Sequence, residues 1–580
     1  MNPFTNLTVW VVLANVFVWG SVVRFGFVWD DHPSIETNAS LRSASILWRA
    51  FTSDFWGLHD RAAASGYYRP WVTVTTAIVG WMSGFSPWAF HLLSLALHVA
   101  NSLFVVSILR RFDVGAFAAL AGALWFSLHP LHAETIGFAS ALPDLWCAFF
   151  VLASLRLALE PPSWKRTLLW VVAWTGALAS KETALVAFPV VLLVTGIRKE
   201  PRRSILQNGI VFLSIAGAAW VARVWILGGW GATGGSWTRA MELLPAYLGT
   251  AILPTGISPI RAEPRIFSIV LGALVLVAWV AWISRSQPSN RKGPIAAGIA
   301  FLSFWAPYSG ILAIKGVWAD RYFYLVLFAC AWVLALALDR AGAIRARKIA
   351  GGWIVAMAVW SAVAIQAWRS DQTLWARALI ANPSSSTVLN QNGILALEAG
   401  DFQGAAERFH AALALDASDT DARANEIVAT LRARNFSRAQ ELAKTMRSLE
   451  PSDPRGYDFG AAAASAQGGW EEARALQKEA IRLAPEDWKY RYNWGLMESV
   501  QGRADDALEA FDLAWERATP IAEARRSVLR ACAATASAAG LWKRARDCLV
   551  RLRDEDPKDP GVAKELERVE RVLALVGEGP

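Results

Sequence analysis

Residues 5–33 read TNLTVWVVLANVFVWGSVVRFGFVWDDHP, an apolar run that ends in two adjacent carboxylates, Asp30 and Asp31. A membrane-spanning helix needs about 20 predominantly apolar residues, and residues 5–24 meet this requirement. A carboxylate left beside lipid without a partner costs several kcal/mol, so acidic side chains at a membrane boundary are candidates for function. Two solvated acids at the start of a loop would give the same pattern, and position alone does not choose between these interpretations.

The composition of the 580-residue chain changes near residue 370. Residues 1–370 contain 25 of the 31 tryptophans and carry 29 Lys and Arg against 15 Asp and Glu, whereas residues 371–580 carry 28 against 33. The first region is therefore predicted to be a membrane domain and the second a separate domain. Because the basic excess lies in loops between apolar segments, where it sets membrane orientation, the high net charge does not indicate nucleic-acid binding.

Eleven apolar segments are predicted to span the membrane. They lie near residues 5–24, 86–109, 114–130, 143–160, 166–180, 182–198, 204–227, 266–285, 294–314, 319–339 and 349–368. With the N-terminus inside, every basic cluster between them falls on the cytoplasmic side, including Arg198-Lys199 and Arg340 to Lys348. Residues 241–257 are also apolar, but a further span there would invert this pattern, so an interfacial or re-entrant helix is predicted.

This topology places the polar loops on the outer face. They are the 61-residue loop 25–85, the stretch from His129 to Asp144, and Lys181-Glu182. The domain after residue 370 falls on the same side. The first apolar segment lacks a preceding positive charge and a following small-residue cleavage site, so it is expected to remain as an uncleaved helix.

A 34-residue period organises the second domain. The positions of Gly393, Ala405, Phe409 and Ala412 have mostly small or apolar counterparts at the same spacing three more times, the first set being Ile427, Ala439, Ala443 and Met446, and a fifth copy follows a four-residue insertion. Small residues at these positions let two helices pack closely, and this period is the signature of tetratricopeptide repeats. The predicted boundaries are a linker at 371–385, about five repeats at 386–558 and a capping helix or tail at 559–580. Such a solenoid either docks a protein or peptide, as acceptor or partner, or serves only as a scaffold.

The four cysteines form no metal-binding or redox motif. Cys147 and Cys330 lie in apolar segments and Cys532 and Cys548 in the repeats, so all four are expected to be small buried apolar residues. A bridge between Cys532 and Cys548 remains open if that domain faces an oxidising compartment.

The polar clusters on the predicted outer face resemble one family. The motifs are WDDHP with Ile35 and Asn38, Asp54-Phe-Trp-Gly57, Tyr68-Arg-Pro70, Phe90-His-Leu with Leu97-His98, His129-Pro-Leu-His-Ala-Glu134, Ser180-Lys-Glu-Thr183 and Arg321-Tyr-Phe-Tyr324. In this order, and followed by the repeats, they look like the transmembrane and tetratricopeptide-repeat O-mannosyltransferases. The match covers nearly the whole chain, and the compact form and composition suggest a prokaryotic relative.

The resemblance implies an all-α fold with a GT-C-type membrane domain over 1–370 and a repeat solenoid behind it. It also implies transfer of a mannose-like sugar from a polyprenyl-phosphate donor to an outer-face hydroxyl, such as a protein Ser or Thr. In one departure from the family pattern, Ser140-Ala-Leu-Pro-Asp144 lacks the basic residue of the corresponding eukaryotic stretch. The repeats are also fewer than in many members of that family.

The expected chemistry needs one carboxylate to accept the hydroxyl proton and cations to hold the leaving phosphate. Adjacent residues cannot both face one reacting centre, so Asp30 is assigned as the base and Asp31 as a residue that orients acceptor, loop or base, although the roles could be reversed. A single base predicts inversion at the anomeric carbon. Arg321, Arg69 and Lys181 are the candidate phosphate ligands, Arg321 first; an interfacial snorkelling role for Arg321 is the alternative.

The remaining polar residues are assigned to substrate binding or to structure. They are Tyr68, His91, His129, His132, Glu134, Asp144, Glu182 and Tyr322. The histidine spacings make a metal site conceivable, but without a third ligand set packing is favoured, and neither a metal nor another cofactor is predicted. Two rival interpretations are another lipid-linked envelope-glycan ligase or polymerase and a non-catalytic membrane-anchored scaffold. If the protein is bacterial, its location would be the cytoplasmic membrane.

Overall fold

A computed structural model describes residues 3–55, 66–197, 202–227, 236–311, 318–518, 522–557 and 559–576. Trp56, Gly57, Arg198 and Lys199, which belong to predicted motifs or clusters, lie outside these residues. The chain divides into two compact units, residues 1–383 and 384–580. Within the described ranges every regular element is helical, which confirms the predicted all-α class.

The first unit contains sixteen helices in its described residues, joined by short helical turns. They are α1 (Pro3–Trp19), α2 (Ile46–Arg49), α3 (Pro70–Ser83), α4 (Pro87–Arg111), α5 (Ala116–Ser127), α6 (Ala133–Gly137), α7 (Leu142–Ala158), α8 (Trp164–Ser180), α9 (Phe188–Ile197), α10 (Arg202–Leu227), α11 (Trp237–Ile252), α12 (Ile266–Arg285), α13 (Lys292–Trp305), α14 (Tyr324–Ala341), α15 (Ile344–Ala364) and α16 (Asp371–Ala381).

Seven helical segments among the described residues are long and apolar enough to cross a membrane, so the chain is a multi-pass membrane protein. They are Leu7–Arg24, Pro87–Arg111, Ala139–Ala158, Asn208–Leu227, Ile266–Arg285, Asp320–Ala341 and Ile344–Trp368. The other four predicted spans correspond to the shorter helices α5, α8, α9 and α13. At 1.5 Å rise per residue, the 12 residues of α5 cover about 18 Å, less than the roughly 30 Å hydrocarbon core.

The apolar stretch 241–257 forms most of α11, which packs closely on α12. A Cβ atom added at Gly249 would overlap the backbone of Ser268, and one added at Gly272 would overlap the backbone of Pro245. Glycine is required at this crossing because the two backbones approach each other directly. The 16-residue α11 therefore packs with its backbone directly against that of the apolar helix α12.

The segment 25–85, predicted to lie on the outer face, is more regular than a loop in its described residues, 25–55 and 66–85. It contains helical turns at His32–Glu36 and Ala39–Arg42, then α2 and the 14-residue α3. Pro70 occupies the first turn of α3, and Gly84 ends it in the left-handed conformation with φ of 63°. The helix α3 packs against α4, α8 and the turn at Ala39–Arg42.

The segment predicted as a linker, 371–385, contains α16, whose N-terminus is capped by Ser370 and Thr373. Trp375 of α16 is buried within the first unit. This segment is therefore part of the first unit up to residue 383.

The second unit is a series of antiparallel helix pairs. They are α17 (Ser386–Glu398) with α18 (Phe402–Leu415), α19 (Thr420–Arg432) with α20 (Phe436–Leu449), α21 (Pro454–Ala466) with α22 (Trp470–Leu483), α23 (Trp488–Val500) with α24 (Ala504–Arg517), and α25 (Ala522–Ala538) with α26 (Trp542–Glu555), followed by α27 (Pro560–Leu575). A Cβ at Gly393 would overlap the Phe409 ring, which explains the small residue in that register. Cys532 and Cys548 form a disulfide between α25 and α26, whereas Cys147 and Cys330 are buried free thiols.

Candidate active site

The two adjacent carboxylates point in different directions. Asp30 lines a cavity of about 240 Å³. Asp31 is fully buried, and its carboxylate accepts hydrogen bonds from Ser140 N and Oγ, each at 2.7 Å, and from the N–H groups of Val28 and Ala139, each at 3.3 Å. Burial raises the pKa of Asp31 to about 7, although these hydrogen bonds act in the opposite direction. Asp31 therefore ties the acidic turn to residues 139–140, and Asp30 alone of the pair lines the cavity.

Ser140 connects Asp31 to the backbone of Asp30. Its hydroxyl lies 2.7 Å from Ser34 Oγ, and the Ser34 hydroxyl in turn donates to the Asp30 carbonyl oxygen at 2.5 Å. Ser140 begins the stretch that lacks the expected basic residue. In this chain that stretch holds the acidic turn through hydrogen bonds from uncharged donors to the Asp31 carboxylate.

The cavity collects most of the predicted charged residues. Its walls come from segments 30–41, 67–76, 138–144 and 181–183, together with Phe55, Tyr308, Arg321 and Tyr322. The charged side chains in the lining are Asp30, Arg69, Asp144, Lys181, Glu182 and Arg321. Four of them lie at helix ends, because Arg69 precedes α3, Asp144 is in the first turn of α7, Lys181 follows α8 and Arg321 precedes α14.

Each of the three candidate phosphate ligands has an acidic partner. Lys181 Nζ lies 2.6 Å from Asp144 Oδ1. Arg69 contacts Glu182 with two nitrogens, at 3.1 and 3.4 Å. Arg321 pairs with the buried Glu134, which also accepts the Arg321 backbone N–H at 2.9 Å. These pairs fix the positions of the cations before any ligand binds, which lowers the entropy that binding would cost.

Aromatic rings support the cations. The rings of Tyr308 and Tyr322 stack 4.2 Å apart, and Lys181 Nζ lies 5.3 Å from the Tyr322 ring centre. The Arg69 guanidinium lies 4.4 Å from the centre of the Tyr67 ring. Tyr67 and Tyr308 line the cavity, although neither was predicted from the sequence as a site residue. The predicted Tyr68 is half-buried and does not line the cavity, and its hydroxyl donates to the Phe51 carbonyl at 3.2 Å.

A fourth cation, Arg223, contacts Glu182 but does not line the cavity. Arg223, near the end of α10, is 4.0 Å from Glu182 and donates to the carbonyl oxygen of Gly66 at 2.5 Å. Arg223 was not predicted as a site residue because it was counted inside an apolar span. An arginine one turn from the end of such a span was the signal that could have found it.

The predicted histidines are buried away from the cavity lining. His91 Nε2 lies 3.1 Å from the Gly26 carbonyl oxygen, and His129 Nε2 lies 2.9 Å from that of Ala251. His132 packs against Phe126 and Tyr324, with ring centres 4.8 and 4.5 Å away. In the part of the chain that the structure describes, no three His, Cys, Asp or Glu side chains are placed to hold a metal ion.

A second carboxylate holds the acidic turn from the other side. The Trp29 N–H donates to Asp371 Oδ1 at 2.9 Å, and His32 Nε2 lies 2.7 Å from Asp371 Oδ2. Trp29 has a φ of 50°, a left-handed conformation that costs an L-residue roughly 1–2 kcal/mol. Backbone strain of this kind persists only where surrounding contacts impose it, and it is concentrated at functional sites. No signal in the sequence joins Asp371 to this turn.

Three known proteins illustrate what the chain is similar to. A tetratricopeptide repeat family model matches residues 396–463. The chain is 31% identical over 182 residues to protein O-mannosyl-transferase Tmtc2 of Drosophila melanogaster, covering 29% of this chain and 19% of that protein. It is 32% identical over 143 residues to human protein O-mannosyl-transferase TMTC4, covering 22% and 19%. The chain thus spans about a fifth of the length of these relatives. The solved structure of TTC0263, a thermophilic TPR protein in Thermus thermophilus, is 19% identical, covers 32% of this chain and 98% of that one, and has a TM-score of 0.28.

Proposed function

Since this chain is related to the transmembrane and tetratricopeptide-repeat O-mannosyltransferases, as its motifs predicted, we propose that it transfers a mannose-like sugar from a polyprenyl phosphate to a hydroxyl acceptor. The observation that carries this proposal is the cavity in which Asp30 lies with Arg69, Lys181 and Arg321. A carboxylate and several fixed cations in one cavity match the two needs of glycosyl transfer from a phosphate. The acceptor class best supported by the relatives' names is protein.

Asp30 is the proposed general base. Its carboxylate accepts the proton of the acceptor hydroxyl while the hydroxyl oxygen forms a bond to the anomeric carbon. The bond between that carbon and the phosphate oxygen breaks, and the polyprenyl phosphate leaves with the electron pair. Because the acceptor enters from the face opposite to the leaving phosphate, the product has the inverted configuration. Asp31 does not contact substrate in this scheme, and it positions the turn that carries Asp30.

The three paired cations are the proposed phosphate ligands. Arg69 and Arg321 have forked donors that suit phosphate oxygens, and Lys181 supplies a compact charge. Because each cation is held by a carboxylate partner, negative charge that develops on the leaving phosphate would be met by donors already in place. No step in this scheme requires a metal ion.

We expect Arg69→Gln and Arg321→Gln each to lower kcat/KM for the donor at least tenfold, because a lost charged hydrogen bond is worth about 1.5–3 kcal/mol. The assay is incubation of membranes that contain the protein with a panel of radiolabelled polyprenyl-phosphate sugars and a peptide acceptor. Arg49→Gln is the matched control, since Arg49 lies exposed in the same outer segment and is not in the cavity lining. Absence of transfer from every donor would contradict the proposed function, whereas transfer to a glycan acceptor alone would favour the ligase alternative.

The repeat domain is proposed to lie on the outer side of the membrane, where the acceptor reaction takes place. The Cys532–Cys548 disulfide supports this side, because disulfides persist in oxidising compartments. A reporter that is active only in the periplasm, fused after residue 400 in a bacterial host, should therefore be active. The matching cytoplasmic reporter at the same position should be silent, and the reverse pattern would overturn the orientation. The membrane concerned is the cytoplasmic membrane if the protein is bacterial.

A further inference from the structure

One carboxylate from a distant part of the chain holds both residues that flank the acidic pair. Asp371 accepts the Trp29 N–H on one oxygen and contacts His32 Nε2 with the other, 339 residues away in sequence. Asp371 is the first residue of α16, where the helix dipole also favours a negative charge. Trp29 immediately precedes Asp30 and His32 immediately follows Asp31, so Asp371 contacts the residue on each side of the acidic pair. We call these two contacts of Asp371 the bracket.

The same helix fixes the side chain of Trp29. Its ring meets the edge of Trp375 at 5.4 Å and stacks on Phe138 at 5.5 Å. A further link lies just upstream, where the Gly26 N–H donates to the Arg369 carbonyl oxygen at 3.2 Å. These contacts maintain the left-handed conformation of Trp29, which determines where the chain places the next residue, Asp30.

We propose that Asp371 is a positioning residue for Asp30, acting through Trp29 and His32. This inference rests on the proposed function of Asp30 as the base. Asp371 does not line the cavity, so it has no assigned contact with substrate. It fixes the backbone on both sides of the acidic pair and thereby directs the Asp30 carboxylate. A misplacement of about 1 Å at a reacting group can reduce a rate by roughly 100-fold, which sets the scale of the expected effect.

The bracket should depend on pH. The hydrogen bond between His32 and Asp371 raises the pKa of His32 to about 9. Burial acts in the opposite direction, and the contact with Glu36 at 2.5 Å raises this pKa further. Burial raises the pKa of Asp371, but its bonds with His32 and the Trp29 N–H outweigh that effect and lower it. The titratable side chains that contact His32 are Asp371 from α16 and Glu36 from its own turn. Because the pKa of His32 lies above its usual 6.5, the contribution of this ion pair to stability is fully present below about pH 6.5, and it is lost as pH rises through about 9, where His32 loses its charge in the folded protein.

The test compares the full-length Asp371→Asn and Asp371→Glu proteins with wild type in detergent micelles. Histidine C2 hydrogen exchange reports the pKa of His32, and backbone amide exchange reports the order of residues 25–36. We expect Asp371→Asn to lower the His32 pKa by at least about one unit and to speed amide exchange in that peptide. Asp505→Asn is the control, because it likewise removes a carboxylate from the first turn of a helix, α24, but from an exposed position.

Activity supplies the second readout. Asp371→Asn should reduce kcat about 10- to 100-fold with little change in donor KM. In wild type, kcat should fall at alkaline pH as His32 loses its proton, and this alkaline limb of the pH–rate profile should lie at lower pH in Asp371→Asn. Asp371→Glu, which keeps the charge, should restore part of kcat and a raised His32 pKa. His32→Gln should lack the alkaline limb near pH 9, and it serves as the second variant if Asp371→Asn does not fold.

The outcomes separate this inference from the proposed function. If the His32 pKa and amide exchange are unchanged in Asp371→Asn, the bracket is overturned whatever the activity. If they change but an active enzyme keeps its kcat and alkaline limb, the positioning role is overturned while the transferase function stands. If wild type transfers no sugar, the proposed function fails and the positioning role fails with it, while the exchange data still judge the bracket itself.

Discussion

Asp30→Asn is expected to reduce sugar transfer by roughly 100- to 10,000-fold, the usual contribution of a positioned general base. The amide has nearly the shape of the carboxylate but cannot accept the hydroxyl proton at neutral pH. Asp30 lies at the cavity wall, so the substitution should leave membrane insertion and thermal unfolding in detergent close to those of wild type. Initial rates with a saturating polyprenyl-phosphate sugar, measured on purified protein, test this expectation.

The control for Asp30→Asn is Glu263→Gln, which neutralises an acid on the same predicted face that is 77% exposed. It should transfer sugar at the wild-type rate. If Asp30→Asn and Asp31→Asn both retained full activity, the cavity would not be a transferase site of the kind proposed.

Asp31→Ala should have its largest effect on stability. The carboxylate accepts four hydrogen bonds, three of them from backbone N–H groups that its loss would leave buried without this partner. An unsatisfied buried donor costs about 1–3 kcal/mol, so a loss of at least about 3 kcal/mol is expected, reduced in part by relief of the buried charge. The measurement is the thermal unfolding midpoint in detergent, followed by tryptophan fluorescence.

The neighbouring substitution Asp30→Ala is the matched control for stability. It removes the same side chain one residue earlier but from the cavity wall, and its unfolding midpoint should remain near that of wild type. Asp31→Asn should fall between the two, because one oxygen still accepts hydrogen bonds while the new NH₂ group faces donors. Equal midpoints for Asp30→Ala and Asp31→Ala would contradict the different environments of the two carboxylates.

Several residues of the cavity lining were predicted from sequence because polar groups at the ends of apolar helices are conspicuous. Arg69, Asp144, Lys181 and Arg321 all interrupt or border apolar runs, and all four line one cavity. The distinction between Tyr67 and Tyr68 was not predictable, since it depends on the direction of a short extended stretch before α3. His129 and His132 were singled out by the same reasoning, yet they lie in packed interior positions.

The sequence by itself determined the helical class, the multi-pass membrane domain, the repeat period and the likeness to a glycosyltransferase family. These follow from local composition, periodicity and motif order, which need no knowledge of distant contacts. Only the tertiary structure decided which of Asp30 and Asp31 lines the cavity, how each cation is paired, and that Asp371 holds the acidic turn. The physical reason is that these properties arise from contacts between segments up to 342 residues apart, whose packing no local pattern records.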